Sequence, residues 1–233
     1  MKKVLFLVIT LLLLLSFLML PASAAGKLSV VQEKFYVFPY SSYHSGHVFA
    51  ELKNIGDKPV EFNGGLLELF DAEGNSIESE NYIRCRPKIL DAGETGFLYV
   101  SKSVKEATDK SFIDDYLLTV TGKGTKEVMV KRLETSNANH RIDENSYRRR
   151  DYLVVDVTNN TEDTQYDFYV VYALRNENGE LLYVDSVNPS YVGIKPGGTV
   201  EIEVRLDSDI VDHFLANNIT ISSIETIAYV ELD

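Results

Sequence analysis

The chain has 233 residues, with 35 Asp and Glu against 23 Lys and Arg, a formal net charge of -12, and a single cysteine. That balance excludes the basic footprint of a nucleic-acid-binding protein. One cysteine excludes an intramolecular disulfide, so stability has to come from hydrophobic cores. The first predicted element is a signal peptide: Met1-Lys2-Lys3, an apolar block from Val4 to Leu20, and the small-x-small site Ala22-Ser23-Ala24, with cleavage after Ala24. Retention as an anchor is the competing reading, because a bilayer span needs about 20 residues. No cysteine near the site is available to carry a lipid, and no later apolar stretch is long enough to span a membrane. Cleavage removes two lysines and no acid, leaving 21 bases against 35 acids and a net charge near -14.

Residues 25–233 suit either one large β domain or two of ordinary size. After a lead-in strand at Leu28 to Val37, Val48, Ala50 and Leu52 alternate with polar or aromatic positions, the two-residue period of a half-buried strand. The pattern recurs at a spacing of 105 residues. Asn54 corresponds to Asn159 and Gly74 to Gly179; Val48, Ala50 and Leu52 correspond to Leu153, Val155 and Val157, and Leu67 and Leu69 to Tyr172 and Leu174. A slip of one residue would turn each set outward, so agreement in phase is stronger than agreement in composition. Further on the spacing shortens by one: "LDAGET" at Leu90 to Thr95 faces "IKPGGT" at Ile194 to Thr199, with Leu98 and Val100 against Ile202 and Val204.

Polar stretches follow in each copy, "KEATDKSFIDD" and "DSDIVDHFLANN", where a helical turn fits, and both copies end β-rich. Short strands separated by turn signals, without a long 3.6-residue period, predict an all-β sandwich or barrel. The expected division is a signal peptide over residues 1–24, one β-sandwich domain over 25–133 and a second over 134–233. The boundary falls in the polar stretch Glu134 to Asp151, part of which is expected to form the second domain's first strand.

Two stretches, Asp71-Ala72-Glu73-Gly74-Asn75 and Asn176-Glu177-Asn178-Gly179-Glu180, share an Asx start and a glycine at the fourth place. An Asx side chain accepts hydrogen bonds from the backbone two residues on, and glycine tolerates the left-handed conformation that closes such a loop. The expectation is a hairpin with a type I turn and a bulge. A calcium loop is the alternative, but it needs a bidentate Glu at its twelfth position, where Tyr82 and Val187 stand. The strands entering these turns, Leu67-Glu68-Leu69-Phe70-Asp71 and Tyr172-Ala173-Leu174-Arg175-Asn176, resemble the bacterial domains named for the pattern F-x-L-Y-D. The Asn-led turns "ELKNIGDKPV" and "DVTNNTEDTQ" and the turns "DAGE" and "KPGG" are similar to that family's other habits. The resemblance covers most of residues 48–100 and 153–204. It implies two tandem immunoglobulin-like β-sandwich domains of an exported bacterial protein, and it carries no catalytic residues.

Reactive groups are few. Cys85 lies between Arg84 and Arg86, which can lower a thiol pKa, but a nucleophile also needs a positioned base, so an isolated thiol is the plainer reading. "HSGH" spaces His44 and His47 three apart without a third ligand, which is weak for zinc. "YRRRDY", Tyr147 to Tyr152, is the densest basic spot and reads either as a forked site for phosphate or carboxylate or as a solvated loop. Asn159-Asn160-Thr161 and Asn218-Ile219-Thr220 fit the N-glycosylation pattern but mean little in a bacterial protein. Fourteen tyrosines, clustered at Phe35 to Tyr43 and Tyr166 to Tyr172, suit strand packing and also contact patches.

No catalytic, cofactor-binding or metal-ligating residues are assigned, and no cofactor is expected. The sequence points to a secreted or cell-surface, non-enzymatic binding or structural module at or outside the bacterial envelope, with a protein or cell-wall polymer as partner. Two alternatives stand beside it: an extracellular enzyme with a site between the domains, for which Asp156 and Glu203 are candidate carboxylates, and an accessory or assembly protein that offers a sheet edge to a partner strand.

Overall fold

Two-residue alternation decides which side chains are buried. Val48, Ala50 and Leu52 are fully buried in one core cluster, and Leu153, Val155 and Val157 in another. The computed structural model describes residues 26–105, 112–126, 130–143, 149–190 and 192–231. The first half holds β1 (Leu28–Pro39), β2 (Tyr43–Asn54), β3 (Val60–Phe70), β4 (Ser76–Glu80), β5 (Arg84–Arg86), β6 (Ile89–Leu90), β7 (Thr95–Lys105) and β8 (Asp115–Gly124). The second holds β9 (Val130–Asp143), β10 (Arg150–Thr158), β11 (Phe168–Arg175), β12 (Leu181–Val187), β13 (Thr199–Arg205), the helix α1 (Ser208–Ala216) and β14 (Ser223–Glu231). The protein is thus an all-β sandwich-type fold with antiparallel sheets and, among the described residues, one short helix. Among the described residues no helix is long and apolar enough to cross a membrane.

Strand pairing in the two halves runs in parallel terms. β2 lies between β1 and β7, and β10 lies between β9 and β13. β3 lies between β4 and β8, and β11 between β12 and β14. Even the small pairing of Val60 with Leu90 has its counterpart in the bridge between Gln165 and Ile194. The division expected between residues 133 and 134 falls inside β9: residues 130–133 pair with β14, and residues from Glu134 onward pair with β10. Of the two polar stretches, "DSDIVDHFLANN" forms α1, capped by the Asp207 side chain accepting from the Asp209 N–H and burying Ile210, Val211 and Phe214. In "KEATDKSFIDD", residues 106–111 lie outside the described residues.

One residue in each half ties three segments together. Asn54 ends β2 with no exposed surface. Its Nδ2 donates to the carbonyls of Lys58 at 2.7 Å and Leu90 at 3.0 Å, and its Oδ1 accepts from the Gly56 N–H at 3.0 Å. Its backbone N–H donates to the Glu94 carbonyl, and its carbonyl accepts from the Gly93 N–H, both at 2.9 Å. Asn159, equally buried, repeats the set: Nδ2 donates to Asp163 and Ile194 at 2.7 Å, Oδ1 accepts from the Thr161 N–H at 2.9 Å, and its backbone bonds Gly198 and Gly197. Gly93 and Gly197 hold φ of 80° and 70°, the left-handed region that glycine enters without strain.

The sheet β1-β2-β7-β5 is covered on both faces. Its inner face packs on Leu67 and Leu69 of β3, while Tyr36, Phe38, Phe49 and Phe97 point outward into the cluster that is also the second half's core. There Phe49 meets Tyr183 of β12 at 5.0 Å between ring centroids, and Tyr36 meets His213 and Phe214 of α1 at 4.6 and 6.3 Å. Polar contacts frame the junction: Arg175 pairs with Glu51 at 2.8 Å, Arg132 with Glu94 at 2.8 Å, and the Tyr40 hydroxyl donates to Asp209. The Gln32 amide accepts from the Leu181 N–H at 2.8 Å and donates to the Gly179 carbonyl at 3.3 Å.

Truncating either clamp strands several buried carbonyls and N–H groups, so Asn54→Ala and Asn159→Ala should each cost about 3 kcal/mol in urea unfolding. A loss below about 1 kcal/mol would show that the clamps are not needed.

Candidate functional site

The strand β5 pairs with β7 through Arg84 to Tyr99, Cys85 to Leu98 and Arg86 to Phe97. On a strand, residues two apart share a face. Cys85 therefore points inward to Leu98 and Gly96, and Arg84 and Arg86 point outward, toward the second half. The Arg86 guanidinium lies 4.0 Å over the Tyr169 ring of β11, and that of Arg84 lies 4.7 Å over Tyr82. Lys88, two residues on, pairs with Glu61 at 2.5 Å. Among the described residues neither Arg84 nor Arg86 forms an ion pair.

These side chains line a groove of about 440 Å³ at the junction of the halves, walled by Phe62, Ile83, Tyr169 and Glu231. A second recess of about 200 Å³, lined by Phe97, Tyr99, Val184 and Asp185, also has Arg84 and Arg86 in its wall. The two arginines thus border both spaces. Guanidinium forks match carboxylate and phosphate, and an aromatic wall holds the apolar body of a ligand that carries such a group. Asp185 adds an opposing feature: burial pushes its carboxyl above the ordinary carboxylate range, against the hydrogen bonds it accepts from the Ser186 N–H and the Tyr183 hydroxyl.

The residues singled out from the sequence do not converge. Cys85 is 4% exposed, its Sγ lies 3.3 Å from the Pro87 carbonyl, and burial pushes its thiol up to about 12 against the lowering effect of Arg86. It is an isolated, protonated thiol. His44 and His47 lie on β2, three residues apart and hence on opposite faces. The His47 Nδ1 contacts the Tyr99 hydroxyl at 3.0 Å, and burial lowers its pKa despite Asp207 and Asp209. No group of three His, Cys, Asp or Glu side chains among the described residues is arranged to hold a metal.

In "YRRRDY", Tyr147 and Arg148 lie outside the described residues. Arg149 makes a forked pair with Asp151 at 2.7 and 2.8 Å, and His140 reaches the same carboxylate at 2.7 Å. Burial opposes ionisation of Asp151, but Arg149 and His140 outweigh it and hold the carboxyl below its usual range. This forked arginine already has its carboxylate. Asp156 accepts from the Asn137 amide at 2.7 Å, and exposed Glu203 pairs with Arg141, so each has a surface partner and neither faces the other across a cleft. The sequon asparagine Asn159 is the buried clamp.

The two Asx turns form as hairpins. The Asp71 carbonyl accepts from the Gly74 N–H, and its Oδ1 accepts from the N–H groups of Glu73 and Asn75 at 3.1 and 2.7 Å. Asn176 does the same for Gly179, Asn178 and Glu180, and both hairpins carry the bulge expected beside such a turn. Gly74 and Gly179 have φ of 80° and 77°.

Sequence reasoning missed the groove. Arg84 and Arg86 stood out only as neighbours of Cys85. The usable signal was the alternation of Arg84 and Arg86 around a buried position, which puts two cations on one face of a strand in an acidic protein.

No family model matches this chain, and no curated protein is similar to it. Among solved structures, red sea bream transglutaminase is 10% identical over 77% of this chain and 27% of its own, with a TM-score of 0.19. The chain therefore spans about a quarter of that enzyme's length. Procruciferin, an 11S globulin from Brassica napus, is 8% identical over 90% of this chain and 85% of its own, with a TM-score of 0.13. At these scores neither likeness bears on fold or activity.

Two outcomes test the electrostatics. Thiol reagents at neutral pH should label Cys85 only on unfolding; labelling of the native protein at the rate of a free thiol would contradict the burial. A carboxyl whose pKa is raised by folding carries a penalty that is absent below its unfolded pKa and fully present above its folded pKa. Asp185→Asn should therefore raise the thermal midpoint at neutral pH, with the gain fading as pH falls through the carboxylate range; a gain independent of pH would refute the assignment.

Proposed function

We propose that this protein is an exported, non-enzymatic binding module of two tandem immunoglobulin-like β-sandwich domains. It acts at or outside the bacterial envelope and engages an anionic group of a protein or cell-wall polymer in the groove at Arg84 and Arg86. The observation that carries the reading is the pair of groove-facing guanidiniums without carboxylate partners, held beside Tyr169 in a protein whose formal net charge is -12. In an acidic molecule such a spot focuses the potential that attracts an anion. The 105-residue pattern and the matching strand pairing support the tandem arrangement, and the apolar junction keeps the groove walls in register. The leader supports export, with cleavage after Ala24.

The test is retention of the protein from residue 25 onward on envelope fractions and on carboxylate-bearing polymer. Arg84→Glu and the Arg84→Ala, Arg86→Ala double variant should weaken binding at least about tenfold, and rising salt should weaken the wild type. Equal retention by the double variant would remove the groove from the reading. Turnover in a hydrolase screen without any specific partner would overturn the non-enzymatic role.

A further inference from the structure

The two halves differ at one sheet edge. In the second half, β14 is hydrogen-bonded on both sides, to β11 and to residues 130–133 of β9. Its counterpart β8 is bonded to β3 alone among the described residues. β8 offers a ten-residue edge, "DYLLTVTGKG", without proline. Such an edge is a ready template for another strand. Its inward residues Tyr116, Leu118 and Val120 pack on the first core, while Asp115, Leu117, Thr119, Thr121 and Lys123 face solvent. Leu117 is 51% exposed and Leu66, on the same outer face of β3, is 36% exposed.

The order of these residues selects the occupant. Asp115 and Lys123 lie four residues either side of Thr119, carry opposite charges, and form no ion pair among the described residues. An antiparallel strand of the same sequence, centred on Thr119, sets Asp115 opposite Lys123 at both ends, Leu117 opposite Thr121, and Leu118 opposite Val120. Opposite charges directly across a strand pair are favourable and like charges are not. A two-fold axis makes each contact twice.

We propose that β8 pairs with β8 of a second copy of this chain about a two-fold axis at Thr119, joining two β4-β3-β8 sheets into one continuous sheet. The pairing does not involve the groove and stands independently of the ligand proposed there.

Sedimentation of the purified protein at concentrations up to about 0.5 mM should show a reversible dimer, within the affinity range of a modest interface. Asp115→Lys and Lys123→Asp should each raise the dimer dissociation constant at least about fivefold, because each places two like-charge pairs across the axis. The double variant should restore association. Thr119→Cys should give a disulfide-linked dimer on mild oxidation, since opposed Cβ atoms lie about 4.5–5.5 Å apart; native Cys85, being buried, does not compete. A protein monomeric throughout this range overturns the proposal, as does a dimer indifferent to both charge reversals or one that the double variant fails to restore.

Discussion

A strand that ends inside a protein leaves polar backbone groups where water cannot reach them, and each group without a partner costs about 1–3 kcal/mol. Asn54 and Asn159 meet this constraint with one side chain each. The amide donates to a carbonyl in the following loop and to one in the segment that starts the return strand, while its oxygen takes a loop N–H. The same residue's backbone bonds the glycine turn that feeds β7 or β13. Only an amide carries both a paired donor and an acceptor at that reach. Aspartate would present two acceptors to carbonyl oxygens. Strand end, loop and returning strand are therefore set relative to one another by a single planar group, and the apolar face of each half is assembled around it.

The second constraint is the joint. β2 buries Val48, Ala50 and Leu52 on one side and Phe49 on the other, so the middle sheet has no solvated face over much of its length. Separating the halves would expose Tyr36, Phe38, Phe49 and Tyr183 together, which couples the two units in unfolding as in place. The second hairpin is adapted to this joint. Where the first hairpin has Phe70, the second has Arg175, whose guanidinium holds Glu51 and Glu225, and the Gly179 carbonyl receives the Gln32 amide. The second hairpin thus differs from the first at the residue that grips the first half.

Much of this was legible in the residues. Two-residue periods located β2, β3, β10 and β11 and their buried faces, because one side of each strand is strictly apolar. The Asx-Gly turns were legible because their hydrogen bonds are local. The aromatic positions Tyr36, Phe49 and Tyr183 were ambiguous, since a ring on a strand's second face suits solvent contact and a covered interface alike. The boundary stretch from Glu134 was expected to hold a strand, but the strand's length was not legible, because its residues face partners on the outside of the sheet, such as Asp156 and Glu203, rather than a core. The groove was illegible because Tyr169 and Arg86 lie 83 positions apart and meet only through the joint.

Gly26, the first described residue, packs on Pro59 and Val60, and Glu231, the last, lines the groove beside Phe62 and Lys88. Segments from both halves thus lie beside the opening residues of one strand, β3. A change at the start of that strand is therefore felt by both halves at once.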